Sequence, residues 1–449
     1  MQRTLLVQTG RMLFLLCAPA LSFAADPAKE FLAAKASIQQ QIRDPKPAKR
    51  VAAVRKLEAF PIVEAAKILV LQACNSADAE VRAVAYDTLL KFKNDKEICA
   101  FLRATVTKDL KKGAANSGTC AALGAIMASD SAEAQKENNA LVEQVASSPE
   151  SGRMLLISLV DELGLRADEG SLQTLLKVSK LSLFTKDFPF RRAAVQALAR
   201  VRKKEAVTAL IDVLEMAQGE VRADIVRFLA SISGLQFGAD QVAWKNWWKT
   251  NQAAFKFPEL PKDRGEIARG PVLKGLPAYY GLPLYGSRLV FVLDTSASMR
   301  GARIDAAKRE LVNAIKELPA GVSFNIVVFN GGVGAWQRQL VQAADESKKA
   351  AAQFVLQQDL GPLTASYDAL ETALSFDAEA IYFLTDGAPV GGKITKPAEI
   401  VDVITKMNRY RRMTINSIGI GVGQPGNLFD AFLKALATEN FGDYRRVDQ

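Results

Sequence analysis

The sequence predicts two folded units of different class, an all-α solenoid followed by an α/β doubly wound, mostly parallel sheet. Three observations carry this. From about residue 28 to 252, apolar residues recur at three and four spacing with little strand signal, as in Ile62, Ala65, Ala66, Leu69 and Val70, which is the period of an amphipathic helix. Beyond residue 288, short continuous apolar runs alternate with helical patterns, as in a parallel sheet covered on both faces. Between the two, Pro258, Pro261, Pro271, Pro277 and Pro283 interleave with Gly265, Gly270, Gly275, Gly281 and Gly286, a density of breakers that allows neither a helix nor a long strand.

Taken in order, residues 1–24 read as a secretory signal peptide. Arg3 and Arg11 form a basic start, an apolar run begins at Met12, and Ser22 and Ala24 supply the small residues of a cleavage site. The run is too short for the roughly 20 residues of a membrane span, so no span is expected after cleavage; an uncleaved anchor is the alternative. Cys17 follows Leu16, where a lipoprotein signal needs a small residue. The mature chain is expected to be secreted or periplasmic.

Composition then limits the chemistry. There is no histidine in 449 residues, which excludes Ser-His-Asp triads, His-ligated zinc and His-held haem. Net charge is +10, but the basic residues are dispersed, so a solvated surface is expected and no nucleic acid partner. Cys74, Cys99 and Cys120 match no zinc or redox spacing and are expected as small core residues of helices.

Residues 25–252 are expected to form the solenoid. Arg50 with Leu57, Arg82 with Leu89, Arg191 with Leu198 and Arg222 with Leu229 repeat one pattern, an arginine seven residues before a leucine. A helix pair every 30-odd residues, too thin to bury its own face, argues for stacking. The segments from Asp78 to Ala83 and from Gly219 to Asp224 resemble the second-helix starts of HEAT repeats. Trp244, Trp247 and Trp248 share one helical face and are expected to cap the last repeat or dock the next domain. Residues 253–287 are the linker, across which few core contacts are expected, although Tyr279, Tyr280 and Tyr285 suggest that part of it packs on a domain.

In residues 288–449, strands are expected at Arg288–Leu293, Ser323–Phe329, Ala380–Leu384 and Thr414–Ile420. Helices are expected at Ile304–Leu318, Glu346–Gln357, Tyr367–Ser375, Ala398–Asn408 and Leu428–Ala437. Two strands run into acid and small polar residues, one into Asp294, Thr295, Ser296, Ala297 and Ser298, the other into Thr385, Asp386 and Gly387. Thr364, just before a helix entrance, can reach the same carboxyl edge of the sheet, where such folds bind ligands. Two carboxylates and three hydroxyls make an all-oxygen set suited to Mg²⁺ or Mn²⁺.

These residues resemble the von Willebrand factor type A domain over about residues 285–449. Asp294, Ser296 and Ser298 match the Asp-x-Ser-x-Ser motif of its metal-ion-dependent adhesion site, Thr364 its central threonine and Asp386 its last acid. The resemblance implies hydroxyl ligation by Ser296, Ser298 and Thr364, with Asp294 and Asp386 acting directly or through water. It also implies an open metal position that takes an Asp or Glu of a protein partner. One departure is Pro362-Leu363, where the family commonly has Gly-Gly. The whole layout resembles secreted bacterial proteins that pair HEAT-like repeats with a type A domain.

The expected function is cation-dependent protein binding, as an adhesion or scaffold module, with the solenoid offering a surface for a second partner and no catalysis. A metal-dependent hydrolase is the alternative; without histidine its base would fall to a carboxylate or lysine, and Asp368 is the nearby candidate. A third reading is an accessory to a separate motor ATPase. Gly387 to Lys393 satisfies G-x-x-x-x-G-K, but Ile394 stands where a phosphate loop needs Ser or Thr. Gly421 to Gly426 satisfies G-x-G-x-x-G but lies too near the end for the ribose-binding acid, and a turn into the last helix is expected there.

Overall fold

The computed structural model describes residues 27–148, 151–259 and 273–448; the expected signal peptide lies outside them. The first unit is all-helical: α1 (Pro27–Ile42), α2 (Pro47–Lys56), α3 (Val63–Leu71), α4 (Ala79–Lys91), α5 (Lys96–Lys111), α6 (Ser117–Met127), α7 (Ala132–Ser147), α8 (Arg153–Arg166), α9 (Glu169–Val178), α10 (Ser182–Lys186), α11 (Phe188–Val201), α12 (Lys204–Leu214), α13 (Gly219–Ser233) and α14 (Gln241–Asn251). Asp78, Asp95, Asp168, Asp187 and Asp240 each accept first-turn amides as N-caps, satisfying donors that a helix start leaves open.

The four repeated arginines act alike. Arg50 donates to the main-chain oxygens of Asp44 and Pro45, Arg82 to those of Ser76 and Ala77, Arg191 to those of Phe184 and Thr185, and Arg222 to that of Ala217. Each guanidinium therefore satisfies carbonyls of the segment just before its own helix, a turn in three cases and the end of α10 for Arg191. Seven residues on, Leu57, Leu89, Leu198 and Leu229 are fully buried, so the Arg-to-Leu spacing ties a turn closed at one end and fills the core two turns later. Cys74, Cys99 and Cys120 are buried free thiols in this unit. Trp244 and Trp248 are buried, donating to the Gly238 oxygen and the Thr208 hydroxyl. With Phe237, Trp247 and Phe255 around them, they close the end of the helical stack.

The second unit contains β1 (Ala278–Tyr279), β2 (Leu282–Pro283), β3 (Arg288–Asp294), α15 (Ala302–Glu317), β4 (Ser323–Phe329), β5 (Val333–Ala335), β6 (Val341–Gln342), α16 (Asp345–Leu356), α17 (Ser366–Leu374), β7 (Ala380–Thr385), α18 (Pro397–Asn408), β8 (Thr414–Ile420), α19 (Leu428–Glu439) and β9 (Tyr444–Val447). The large sheet runs β5-β4-β3-β7-β8-β9, with β6 also on β4. It is parallel except for β5 and β6, which lie antiparallel on the β4 edge.

Alternation along β3 divides the core. Leu289, Phe291 and Leu293 pack with Ile304 and Leu311 of α15 on one face, and Val290 and Val292 with Leu370, Ile400 and Leu433 of α17, α18 and α19 on the other. The β1–β2 hairpin falls within the Pro/Gly-rich segment, and its Tyr279 is buried against Phe291 and Tyr382. Besides this hairpin, the strands β5, β6 and β9 were not anticipated. The first two are too short to carry an alternation, and β9 reads Tyr-Arg-Arg-Val at a sheet margin.

The helical unit docks on the α/β unit where strands β7, β8 and β9 begin. Arg192 of α11 is fully buried; it grips both oxygens of Asp224 at 2.7 and 3.2 Å and donates to the Arg412 main-chain oxygen at 2.7 Å. Arg412 reaches back to Asp161 of α8 and to Gln196. Thr414, the first residue of β8, donates to Glu220 of α13 at 2.8 Å, and Ser158 shares a hydrogen bond with Tyr410. Gly219 is required at this seam. Its φ is +56°, and an added Cβ would stand 2.1 Å from Glu379 Oε2. The seam covers the N-terminal edge of the sheet, leaving the opposite edge to the candidate site.

Candidate metal centre

Asp294 ends β3 and has no exposed surface. Its Oδ1 accepts the Ser296 amide at 2.7 Å, a local turn closed by the side chain, and its Oδ2 accepts the Thr385 hydroxyl at 2.5 Å. Burial pushes this carboxyl up to about 6, the Thr385 and Ser296 bonds oppose that, and the charge of Asp386 adds to it. Ser296 and Ser298 flank the start of a short 3₁₀ turn (Ala297–Met299) that Met299 anchors in the core. Their hydroxyl oxygens stand 2.9 Å apart, and Ser298 donates to Asp386 Oδ1 at 2.8 Å.

Thr364 is brought to the same edge by its loop. Gly361 donates to the Thr295 oxygen at 2.9 Å and Ala365 to the Asn330 oxygen at 2.8 Å. Thr295 in turn donates to the Phe329 oxygen and accepts from Asn330. The ends of β3 and β4 and the entrance of α17 are thereby tied together, with Thr364 only 3% exposed. Leu363 takes φ +64°. The loop keeps a left-handed residue before the threonine even though leucine fills the place, a conformation that costs a side-chain-bearing residue about 1–2 kcal/mol.

Asp294, Ser296, Ser298 and Asp386 thus lie at or just past the adjoining ends of β3 and β7, and Thr364 lies on the loop into α17 that is tied to them. Asp294, Ser296, Thr364 and Asp386 are buried while Ser298 is exposed, so solvent reaches the cluster from one side. Among the described residues no three His, Cys, Asp or Glu side chains converge to hold an ion; this set depends on hydroxyls. Its chemistry fits a hard cation. With metal–oxygen bonds of about 2.1 Å, neighbouring corners of an octahedron lie about 3.0 Å apart, close to the separations in the Ser296–Ser298–Asp386 chain.

Sequence reasoning missed three contributors. Thr385 holds Asp294, Asn330 links two loops, and Arg303 pairs with Asp386 at 2.8 Å. Thr385 adjoins an expected ligand and was within reach of inspection; the other two contacts join residues far apart in the chain. The excluded motifs resolve as turns. The Lys393 amide donates to Asp368 and its side chain pairs with Glu371, while Gly426 donates to Asp430 at the start of α19.

Residues 287–445 match the family model described as von Willebrand factor type A domain, and the chain carries that domain here. It is 29% identical over 163 residues to the human von Willebrand factor A domain-containing protein 3B, covering 36% of this chain and 12% of that protein. It is 30% identical over 181 residues to inter-alpha-trypsin inhibitor heavy chain H3 of Bos taurus, covering 37% of this chain and 20% of the relative. The chain therefore spans only an eighth to a fifth of these relatives. A solved structure, the von Willebrand factor type A from Catenulispora acidiphila, aligns with a TM-score of 0.32 and 24% identity over 36% of this chain and 38% of the other. Among the described residues no helix is long and apolar enough to cross a membrane.

Proposed function

We propose that the chain is a divalent-cation-dependent protein-binding module, with Asp294, Ser296, Ser298, Thr364 and Asp386 as the residues that hold Mg²⁺ or Mn²⁺. The observation that carries this is the run of oxygens from Ser296 through Ser298 to Asp386, spaced at 2.9 and 2.8 Å on an edge open to solvent. Asp294 supports the arrangement from beneath, since both its oxygens are engaged by Ser296 and Thr385. A bound cation would supply a positive centre with an exchangeable position, which favours an acidic side chain of a partner over a neutral donor.

Residues 27–251 serve in this reading as a HEAT-like platform within a helical domain of residues 25–252, joined through 253–287 to a type A domain of 288–449. The place of action is outside the cytoplasm, as an adhesion or scaffold protein, resting on the signal-like residues 1–24. Binding is preferred to hydrolysis because Asp368, the one base candidate, is held by the Lys393 amide at 2.9 Å. Calorimetric titration with Mn²⁺ tests the site: Asp294→Ala and Asp386→Ala should each abolish binding while far-UV circular dichroism stays unchanged. Full affinity in both variants would remove the cluster as the site.

A further inference from the structure

Arg303 is the second residue of α15, in the first turn of a helix, where the macrodipole disfavours a cation. It is nevertheless fixed there by three features. Its Nη1 donates to Asp386 Oδ2 at 2.8 Å and to the Ser298 main-chain oxygen at 3.3 Å. Its guanidinium also lies against Gly421, where an added Cβ would come within 2.8 Å of Nε and where φ is +59°. Glycine just past the end of β8 thus leaves the space through which the arginine reaches the site. The Asp386 side chain has no exposed surface, whereas that of Arg303 is 38% exposed.

Both oxygens of Asp386 are consequently engaged, Oδ1 by Ser298 and Oδ2 by Arg303. We propose that Arg303 is a built-in counter-cation of the metal centre, which a divalent ion must displace from Asp386, so that this residue sets how tightly the centre binds its ion. The inference rests on the metal-binding reading above. Paired with Arg303, Asp386 is already neutralised, and an arriving ion meets a set whose two carboxylates are offset by one fixed positive charge. Hydrogen bonds between charged groups, net of water, are on the order of one to two decades in an equilibrium constant. Surrendering one lowers ion affinity by that factor, and weak binding makes occupancy responsive to the surrounding cation concentration. Exposure of the arginine gives it somewhere to go, because a guanidinium released from Asp386 can be hydrated at the rim.

The test is titration of the full chain with Mn²⁺ alone, read by calorimetry and by the electron paramagnetic resonance of free Mn²⁺, for wild type, Arg303→Gln and Arg303→Lys. Arg303→Gln should bind Mn²⁺ about tenfold or more tightly than wild type, with Arg303→Lys between them, because it keeps the charge but not the planar fork. Equal or weaker binding by Arg303→Gln, with measurable binding by wild type, would overturn the role of Arg303 and leave the metal site standing. Absence of binding in all three would overturn the metal site and this inference with it.

Discussion

Arg192 of the helical unit and Arg412 of the α/β unit, 220 positions apart, meet through a 2.7 Å hydrogen bond from guanidinium to main-chain oxygen. The same guanidinium holds Asp224 and lies 3.7 Å from Glu220, and Phe441 stacks against both arginines. Burying this much charge is costly unless every member is paired.

Replacing Arg192 by Met should therefore destabilise the protein by about 3–5 kcal/mol, because the buried Glu220 loses its cation and Asp224, just beneath the surface, keeps only Arg227. Urea unfolding monitored by tryptophan fluorescence and circular dichroism should resolve into separate transitions for the two units. Adding Glu220→Gln and Asp224→Asn to the same chain should recover much of the loss. A single transition at wild-type midpoint in Arg192→Met would show that the seam contributes little.

Glu220 gives the seam a pH dependence. Burial pushes its carboxyl up to about 7, against the lowering influence of Arg192 and the Thr414 hydroxyl and with Asp224 adding to the rise. The folded form thus holds the proton more firmly than the unfolded chain, whose value is near 4.5. Its contribution to stability is full below about pH 4.5 and is lost as pH rises through about 7. The difference between wild type and Glu220→Gln should change by on the order of 3 kcal/mol across that window. Parallel stability–pH curves for the two proteins would contradict this.

At the opposite edge, partner capture should require Mg²⁺ or Mn²⁺. Immobilised protein should retain partners in the presence of either ion, release them on addition of chelator, and fail to retain them as Thr364→Ala. Conversion of the partner's surface Asp and Glu to amides should have the same effect. Retention that survives chelator would place the binding function on the helical unit instead.

Leu363 stands at φ +64° with about half its surface exposed. Leu363→Gly should relieve left-handed strain of about 1–2 kcal/mol at an entropic cost of about 0.5–1 kcal/mol, for a net gain of up to about 1.5 kcal/mol in thermal unfolding. A loss of stability would mean that its packing on Gly331 and Gly391 outweighs the strain.

The sequence disclosed most of the elements because their periodicities are long and unambiguous. Strands Ser323–Phe329 and Thr414–Ile420 fall where the apolar runs placed them, and the repeated Arg-to-Leu interval has a single mechanical explanation. Asp294, Ser296 and Ser298 could be named together because they lie in one short motif at the end of a strand. What stayed hidden depends on contacts between distant segments. Nothing near Glu220 or Arg412 marks them as partners across a seam, and a first-turn arginine such as Arg303 reads as ordinary surface charge until Gly421 is seen to make room for it. The family commonly has Gly-Gly before the threonine; here the left-handed turn survives with Leu363, because the neighbouring backbone bonds of Gly361 and Ala365 over-determine the loop.

The seam and the oxygen cluster occupy opposite ends of the same strands. Strand β3 runs seven residues from Arg288 to Asp294, roughly 23 Å at about 3.3 Å per residue. Anything gripped at the far tip is thereby held a strand's length clear of the helical stack, while the paired charges at the near end resist hinging. A load pulling on the tip would be borne along the strand axes and passed into α8, α11 and α13 through Arg192, Arg412 and Glu220.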